Sequence, residues 1–274
     1  MLKVGFQGKN GTYSDLAVDL YFAKQKIQKY NYANFLSIVE DIENNKLDYA
    51  LIPVENTTTG IISRTYDFFF KHQLYAVGEI CLPIKEQLIG LANSDIEKIK
   101  EVYSHPEALG QCANFFAKYP HIKQIPYQDT SASVAYVKAC NDPSKAALAS
   151  VNAATYYDMA ILASDVQDSD HNTTRFLCIT HHYEKIKDAN KISTMFILKH
   201  EAGSLYRLLE VFAKRGINLL KLESRPLPQH QFEYLFYLDF EARLNEEELA
   251  NLLQETMKYC IDHKLLGHYQ AYKM

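Results

Sequence analysis

Apolar and polar positions follow two rhythms along this chain. Over residues 1–182, short apolar runs alternate with amphipathic stretches. Residues 2–6, 49–54, 75–82, 122–125, 146–149 and 160–163 predict strands, and the segments between them predict helices. Ser37-Ile38-Val39-Glu40 and Ser104-His105-Pro106-Glu107 read as capping boxes, the second with proline in the first turn. Strand–helix alternation implies parallel sheet in an α/β arrangement. Residues 183–191 are polar and aperiodic, and predict a linker. The rhythm then changes. Residues 192–198 predict a strand, and Leu205, Leu208, Leu209 and Phe212 form one helical face closed by Gly216. Residues 217–222 and 232–240 predict strands. Asn245 is placed to cap a helix with Glu246, Glu247 and Glu248 in its first turn and Leu249, Leu252 and Leu253 on its apolar face. Residues 265–272 predict a last strand. The order βαββαβ predicts a ferredoxin-like second domain over 192–274, after a first domain over 1–182.

The 274 residues are 47% hydrophobic and 23% charged, which excludes disorder, collagen and coiled coil. A net charge of -4 offers no basic excess for phosphates, so no nucleic-acid partner is expected. Five cysteines without a CxxC pair fit free thiols in a reducing cytoplasm. No apolar run approaches ~18 residues and the N-terminus enters a strand directly, so neither a membrane span nor a signal peptide is expected.

Ligands of parallel α/β sheets sit at the carboxyl ends of strands. The polar segments there are 8–14, 53–60, 104–106, 129–131 and 172–176. Most carry hydroxyls at helix starts, where free N–H groups hold carboxylates or phosphates. The same pattern also describes ordinary caps. Asp168-Ser169-Asp170 opens like a calcium loop, but Thr173 replaces the required glycine and Ile179 the closing glutamate, so no metal is expected. Cys112 and His105, read as two turns apart on one helix, make a poor nucleophile pair, and Cys112 reads as core.

Gly8-Lys9-Asn10-Gly11-Thr12-Tyr13-Ser14, Pro53-Val54-Glu55-Asn56-Thr57, Ser104-His105-Pro106-Glu107-Ala108-Leu109-Gly110-Gln111-Cys112, Asp129-Thr130 and Thr174-Arg175-Phe176 resemble, in order, the motifs of prephenate dehydratases. Gly203-Ser204-Leu205 and Glu223-Ser224-Arg225-Pro226 resemble motifs of their regulatory ACT domain. The resemblance spans nearly the whole chain. It implies a catalytic domain of two α/β lobes, built like a type II periplasmic binding protein, followed by an ACT domain. It implies cofactor-free conversion of prephenate to phenylpyruvate, feedback inhibition by phenylalanine, and a homodimer or homotetramer. An arogenate dehydratase and a non-catalytic aromatic amino acid sensor are the alternatives. With a catalytic domain starting at residue 2, no fused chorismate mutase is expected.

By motif match, Thr174 donates to the leaving hydroxyl, and Asn56, Ser104, Gln111 and Glu55 complete the catalytic set. Thr12, Ser14, Thr57, Thr130 and Ser131 are the candidate anion donors, and Phe176 packs on the substrate or between the lobes. Arg175 pairs with a substrate carboxylate or with Glu55. The second is favoured, because a clamp on the departing carboxylate opposes its loss. The effector set is Gly203, Ser204, Leu205, Glu223, Ser224, Arg225 and Pro226. Thr57, Glu107 and Ser131 stand where the family usually has serine, glutamine and alanine.

Overall fold

The computed structural model describes residues 1–227 and 234–273. In chain order the elements are β1 (Leu2–Gln7), α1 (Tyr13–Tyr21), β2 (Ile27–Tyr32), α2 (Phe35–Glu43), β3 (Tyr49–Asn56), β4 (Gly60–Ile61), α3 (Ser63–Lys71), β5 (Tyr75–Pro83), β6 (Gln87–Gly90), β7 (Glu101–Ser104), α4 (Pro106–Gly110), α5 (Ala113–Lys118), β8 (Lys123–Pro126), α6 (Thr130–Cys140), β9 (Lys145–Ala149), α7 (Val151–Tyr157), β10 (Ala160–Ala163), β11 (Thr173–Thr180), β12 (Lys191–Leu198), α8 (Ser204–Lys214), β13 (Asn218–Pro226), β14 (Tyr234–Glu241), α9 (Glu246–Thr256) and β15 (Cys260–Tyr269). No helix among the described residues is long and apolar enough to cross a membrane.

Two compact units result. The first comprises residues 1–67 and 80–176, the second 68–79 and 177–274. Residues 68–79 and 177–182, placed by sequence in the first domain, thus pack in the second unit.

The first unit holds two sheets. One runs β11-β3-β1-β2 and the other β10-β6-β9-β7-β8. β4 pairs with β3, and after the strands of the second sheet the chain returns to the first with β11. β1 pairs in parallel with β2 and β3, and β7 with β8 and β9. Central parallel strands are covered on both faces, and β3 accordingly buries Ala50, Leu51, Ile52 and Val54. β2 has the sequence IQKYNY, too polar to announce a strand. It exists because its six residues find register on β1 at the sheet edge. The first expected capping box is corrected. Asn34, in extended conformation, caps α2 by accepting from the Ser37 N–H (3.0 Å), and Ser37 lies inside the helix.

In the second unit the strand order is β13-β14-β12-β15, with every pairing antiparallel. β14 starts at Tyr234; Phe232 and Glu233 of the predicted strand lie outside the described residues. β13 extends to Pro226, and β15 begins at Cys260, five residues earlier than expected. Leu208 and Phe212 of α8 and Leu249, Leu252 and Leu253 of α9 meet Ile192, Phe196, Leu238 and Phe240 in one core. The punctuation follows the sequence. Gly216, at φ +64, closes α8 while the Ile217 N–H reaches back to the Phe212 carbonyl (3.1 Å). Asn245 and Glu248 form a reciprocal capping box on α9.

This unit also buries a charge pair. Lys191 Nζ lies 3.0 and 2.8 Å from the two carboxylate oxygens of Glu79, which also accepts from the Tyr272 N–H (3.0 Å). Both side chains are almost wholly buried. Removing one member of such a pair strands the other charge away from water. Glu79→Leu is therefore expected to cost about 3–5 kcal/mol, lowering the thermal unfolding midpoint, with much of the loss recovered in Glu79→Leu/Lys191→Met. A loss below about 1 kcal/mol in the single variant contradicts this assignment.

Candidate active site

The first unit contains a cavity of about 270 Å³ lined by Tyr13, Ser14, Pro53, Asn56, Ile84, Glu86, His105, Glu107, Ala108, Gln111, Asp129, Thr130, Asn172, Thr174 and Phe176. Both sheets contribute. Tyr13, Asn56, His105 and Thr130 come from the carboxyl ends of parallel strands or the turns after them, as the sheet rule predicts.

The loop after β1 is shaped by its backbone. Gly11 has φ +85, and a Cβ there would lie 3.1 Å from the Ala153 Cα and 3.2 Å from Ser131 Oγ. Ser131 donates to the Asn10 carbonyl (2.7 Å) and Ser150 to the Gly11 carbonyl (3.0 Å). Thr12 caps α1, accepting from the Asp15 N–H, and donates to the Lys9 carbonyl (2.8 Å). The loop thereby presents Tyr13 and Ser14 to the cavity. The Tyr13 hydroxyl is anchored to the Lys85 backbone, donating to its carbonyl (2.6 Å) and accepting from its N–H (2.8 Å). Burial, reinforced by the charge of Glu86, drives the phenol far above its ordinary range, so it stays neutral.

A directed relay of amides occupies the other wall. The Asn56 carbonyl oxygen accepts from the N–H groups of Thr58 (2.8 Å) and Thr59 (3.0 Å). That fixes the amide, because its NH2 must then face the opposite way. It donates to Asn172 Oδ1 (2.7 Å) and to Thr174 Oγ1 (2.9 Å). Asn172 Nδ2 donates to Gln111 Oε1 (2.8 Å), and Gln111 Nε2 to Glu107 Oε1 (3.3 Å). Thr174 Oγ1 is thus an acceptor inside the protein, and its own hydrogen is available to the cavity. Thr57 holds this wall in place. It donates to the His171 carbonyl (2.7 Å) and accepts from the Thr173 N–H (2.9 Å).

The structure brings Ser14, Asn56, Gln111, Thr130, Thr174 and Phe176 together at the cavity. Thr12, Thr57 and Ser131 sit behind it with their hydroxyls on backbone carbonyls. Ser104 is fully buried and donates to the Leu148 carbonyl (2.7 Å). The second expected capping box is corrected accordingly. Ser104 ends β7, and His105 caps α4 by accepting from the Glu107 N–H (3.3 Å), with Pro106 at the first helical position. Arg175 meets Glu55 (3.1 Å) and donates to the Tyr66 hydroxyl (3.3 Å); neither member of the ion pair lines the cavity. Cys112 and His105 do not share a helix. Cys112 immediately precedes α5, is fully buried, and burial pushes its thiol far above the usual range. Asp168 caps α5 by accepting from the N–H groups of Ala113 (2.9 Å) and Asn114 (2.8 Å), which explains that acidic segment. Among the described residues no cluster of His, Cys, Asp or Glu is placed to hold a metal.

Two features lay outside the sequence reading. Asn172 joins the relay, although only its neighbours carried a role. Glu86 stands in the polar triplet Lys85-Glu86-Gln87, to which the sequence reading gave no role. It is only 2% exposed, it lines the cavity, and its Oε2 has no hydrogen-bond partner among the described residues. Burial, with the nearby Glu107 adding to it, pushes its carboxyl up to about 7. The lining residues include three carboxylates and neither lysine nor arginine.

In the second unit, Gly203 (φ +81) caps α8 without a side-chain bond. A smaller cavity, about 160 Å³, is lined by Leu198, Lys199, His200, Glu201, Ser204, Leu205, Tyr234 and Phe236. Glu223, Ser224, Arg225 and Pro226 lie on β13, opposite Tyr237, Phe236, Leu235 and Tyr234 of β14. They do not line that cavity.

Comparison with known proteins bears on both units. The family model described as prephenate dehydratase matches residues 4–184. The bifunctional chorismate mutase/prephenate dehydratase of Aquifex aeolicus (strain VF5) is 36% identical over 273 residues, covering 98% of this chain and 73% of that protein. Arogenate dehydratase/prephenate dehydratase 2, chloroplastic, of Arabidopsis thaliana is 35% identical over 280 residues, covering 98% of this chain and 72% of that protein. The crystal structure of a prephenate dehydratase from Arthrobacter aurescens in complex with L-Phe superposes with a TM-score of 0.87, at 24% identity, over 98% of this chain and 90% of that one. At that identity the likeness is one of fold.

Proposed function

The chain belongs to the prephenate dehydratase family, and from that membership we propose that its cavity converts prephenate to phenylpyruvate. The ring carboxylate leaves as carbon dioxide, its bonding pair enters the ring, and the carbon–oxygen bond at the far ring carbon breaks. The departing oxygen takes up a proton and leaves as water. Hydroxide is a poor leaving group, so it needs a hydrogen-bond donor as that bond stretches. Thr174 supplies it. The observation that carries this assignment is the orientation of Asn56: two backbone N–H groups hold its carbonyl, its NH2 donates to Thr174 Oγ1, and the threonine proton is left for the substrate.

The remaining wall suits the rest of the substrate. Pro53, Ile84, Ala108 and Phe176 offer apolar surface to the ring. Ser14, Thr130 and Gln111 offer uncharged polar groups to the carboxylates and the keto oxygen. With Arg175 held by Glu55, no cation among the lining residues clamps the leaving carboxylate, whose charge must disperse in the transition state. Thr12, Thr57, Ser104 and Ser131 act as positioning residues through the backbone segments they hold. The two sheets of this unit fit two lobes like those of type II periplasmic binding proteins.

The second unit is read as a ferredoxin-like ACT domain that binds phenylalanine. Its βαββαβ order and the Gly203-Ser204-Leu205 turn at a helix start support this, since the free N–H groups there receive a carboxylate. The phenylalanine complex of the Arthrobacter aurescens protein supports the choice of ligand. Glu223, Ser224, Arg225 and Pro226, on β13, are assigned to the effector set by their motif, away from the cavity lined by Ser204 and Leu205.

Purified protein given prephenate is expected to form phenylpyruvate, followed by its absorbance in alkali. Thr174→Ala is expected to lower kcat by ~10²–10⁴ while KM stays close to its original value. Wild-type turnover in that variant removes Thr174 from the chemistry. Phenylalanine is expected to suppress turnover, and Gly203→Trp to abolish the suppression while leaving basal turnover intact. Unchanged inhibition in Gly203→Trp places the effector elsewhere.

A further inference from the structure

Glu86 is a carboxyl group for which the described residues provide no hydrogen-bond partner. Its Oε2 is buried without a hydrogen bond among the described residues. Its own main chain is held at both ends, the Glu86 N–H donating to Gln167 Oε1 (2.9 Å) and its carbonyl accepting from the Val166 N–H (2.9 Å). The adjacent ammonium, Lys85, is paired with Asp165 (2.8 Å). The groups that face Glu86 cannot neutralise it. From α1 comes the Tyr13 phenol, spent on the Lys85 backbone. Between α4 and α5 lies the Cys112 thiol, and α4 brings Glu107, a second negative charge. Asp129, at the head of α6, is committed to the Ala132 N–H (2.6 Å), and His105 to that of Glu107.

A buried carboxylate with neither donor nor cation must take up a proton or wait for a cation from the ligand. The two ligands open to this cavity differ in that respect. Prephenate carries a keto group beside its side-chain carboxylate and brings only negative charge. Arogenate carries an ammonium at that carbon. We propose that Glu86 selects between these two substrates, admitting the keto acid when it is a neutral carboxylic acid and holding the α-ammonium of the amino acid when it is a carboxylate. The burial that isolates Glu86 also brings its titration to about 7, so both states are reached near neutrality. Raising the pH ionises Glu86, which repels prephenate and attracts arogenate.

This inference rests on the dehydratase reading above, and the test separates the two. Initial rates with prephenate and with arogenate are measured from about pH 6 to about pH 8.5, a span that crosses the Glu86 titration while an α-ammonium stays largely charged. In the wild type the ratio of kcat/KM for arogenate to that for prephenate is expected to rise at least about tenfold with pH, chiefly through KM. In Glu86→Gln the ratio is expected to be flat with pH, because the prephenate KM loses its rise with pH and arogenate no longer gains from an ionised partner. A wild-type ratio that does not change with pH overturns the proposal. So does the same pH course in Glu86→Gln, which assigns it to a group other than Glu86. Turnover of prephenate alone at every pH overturns the selection and leaves the dehydratase reading standing. Turnover of neither substrate overturns both. Should Glu86→Gln fail to fold, Glu86→Ala takes its place, with the same flat ratio expected and a persisting pH course overturning the proposal.

Discussion

The active cavity depends on the orientation of one amide. An asparagine side chain can turn either end toward a neighbour, and only its surroundings decide which. At Asn56 the N–H groups of Thr58 and Thr59 take the oxygen, so the NH2 faces Thr174 and Asn172. Every later member of the relay inherits that direction: Asn172 donates to Gln111, and Gln111 to Glu107. A threonine hydroxyl is a weak acid with one proton. Accepting from Asn56 leaves that proton undirected within the protein and free for a ligand oxygen. Fixing the dipoles in the fold means that little reorganisation remains for the reacting state.

The charge distribution follows the same logic. Arg175 lies next to Thr174 in sequence, yet alternation along β11 turns the two side chains to opposite faces, and Glu55 meets the guanidinium there. The cavity is left with uncharged donors, an apolar patch and three carboxyl groups. Such a wall does not bind a departing carboxylate tightly. It also leaves Glu86 as the group most sensitive to whatever charge a ligand brings.

Much of this was legible in the sequence. The apolar rhythm located β1, β3, β8 and β9 among the parallel strands but not β2 or β7, and the loops after β1, β3 and β8 supplied Ser14, Asn56 and Thr130. The pairing of Arg175 with Glu55 and the punctuation of the second unit at Gly216 and Asn245 were also readable. What escaped did so for identifiable reasons. β2 is polar and gains its strand state from register on β1. The helix caps read at 37 and 104 were misplaced by three residues and by one, because Asn34 and His105 take the cap positions instead of the serines. Hydroxyls at Thr12, Thr57, Ser104 and Ser131 have the residue type of anion donors, but three-dimensional neighbours, chiefly backbone carbonyls, claim them. Glu86 was missed because its triplet, although it follows the predicted strand 75–82, carries no hydroxyl or glycine and opens no helix. It stands at the amino end of β6, which runs antiparallel to β9. Burial of one charge within a polar triplet leaves no mark in composition.

The central claim is that Asn56 frees the Thr174 proton by donating to its oxygen, and the near-isosteric change Asn56→Asp tests it directly. The carboxylate accepts from Thr58 and Thr59 as before, but its second oxygen draws the threonine hydroxyl inward. The account predicts that kcat for prephenate falls by ~10²–10⁴ in Asn56→Asp, as far as in Thr174→Ala, and that the double variant falls no further. Near-normal turnover in Asn56→Asp, or losses that multiply in the double variant, would contradict it.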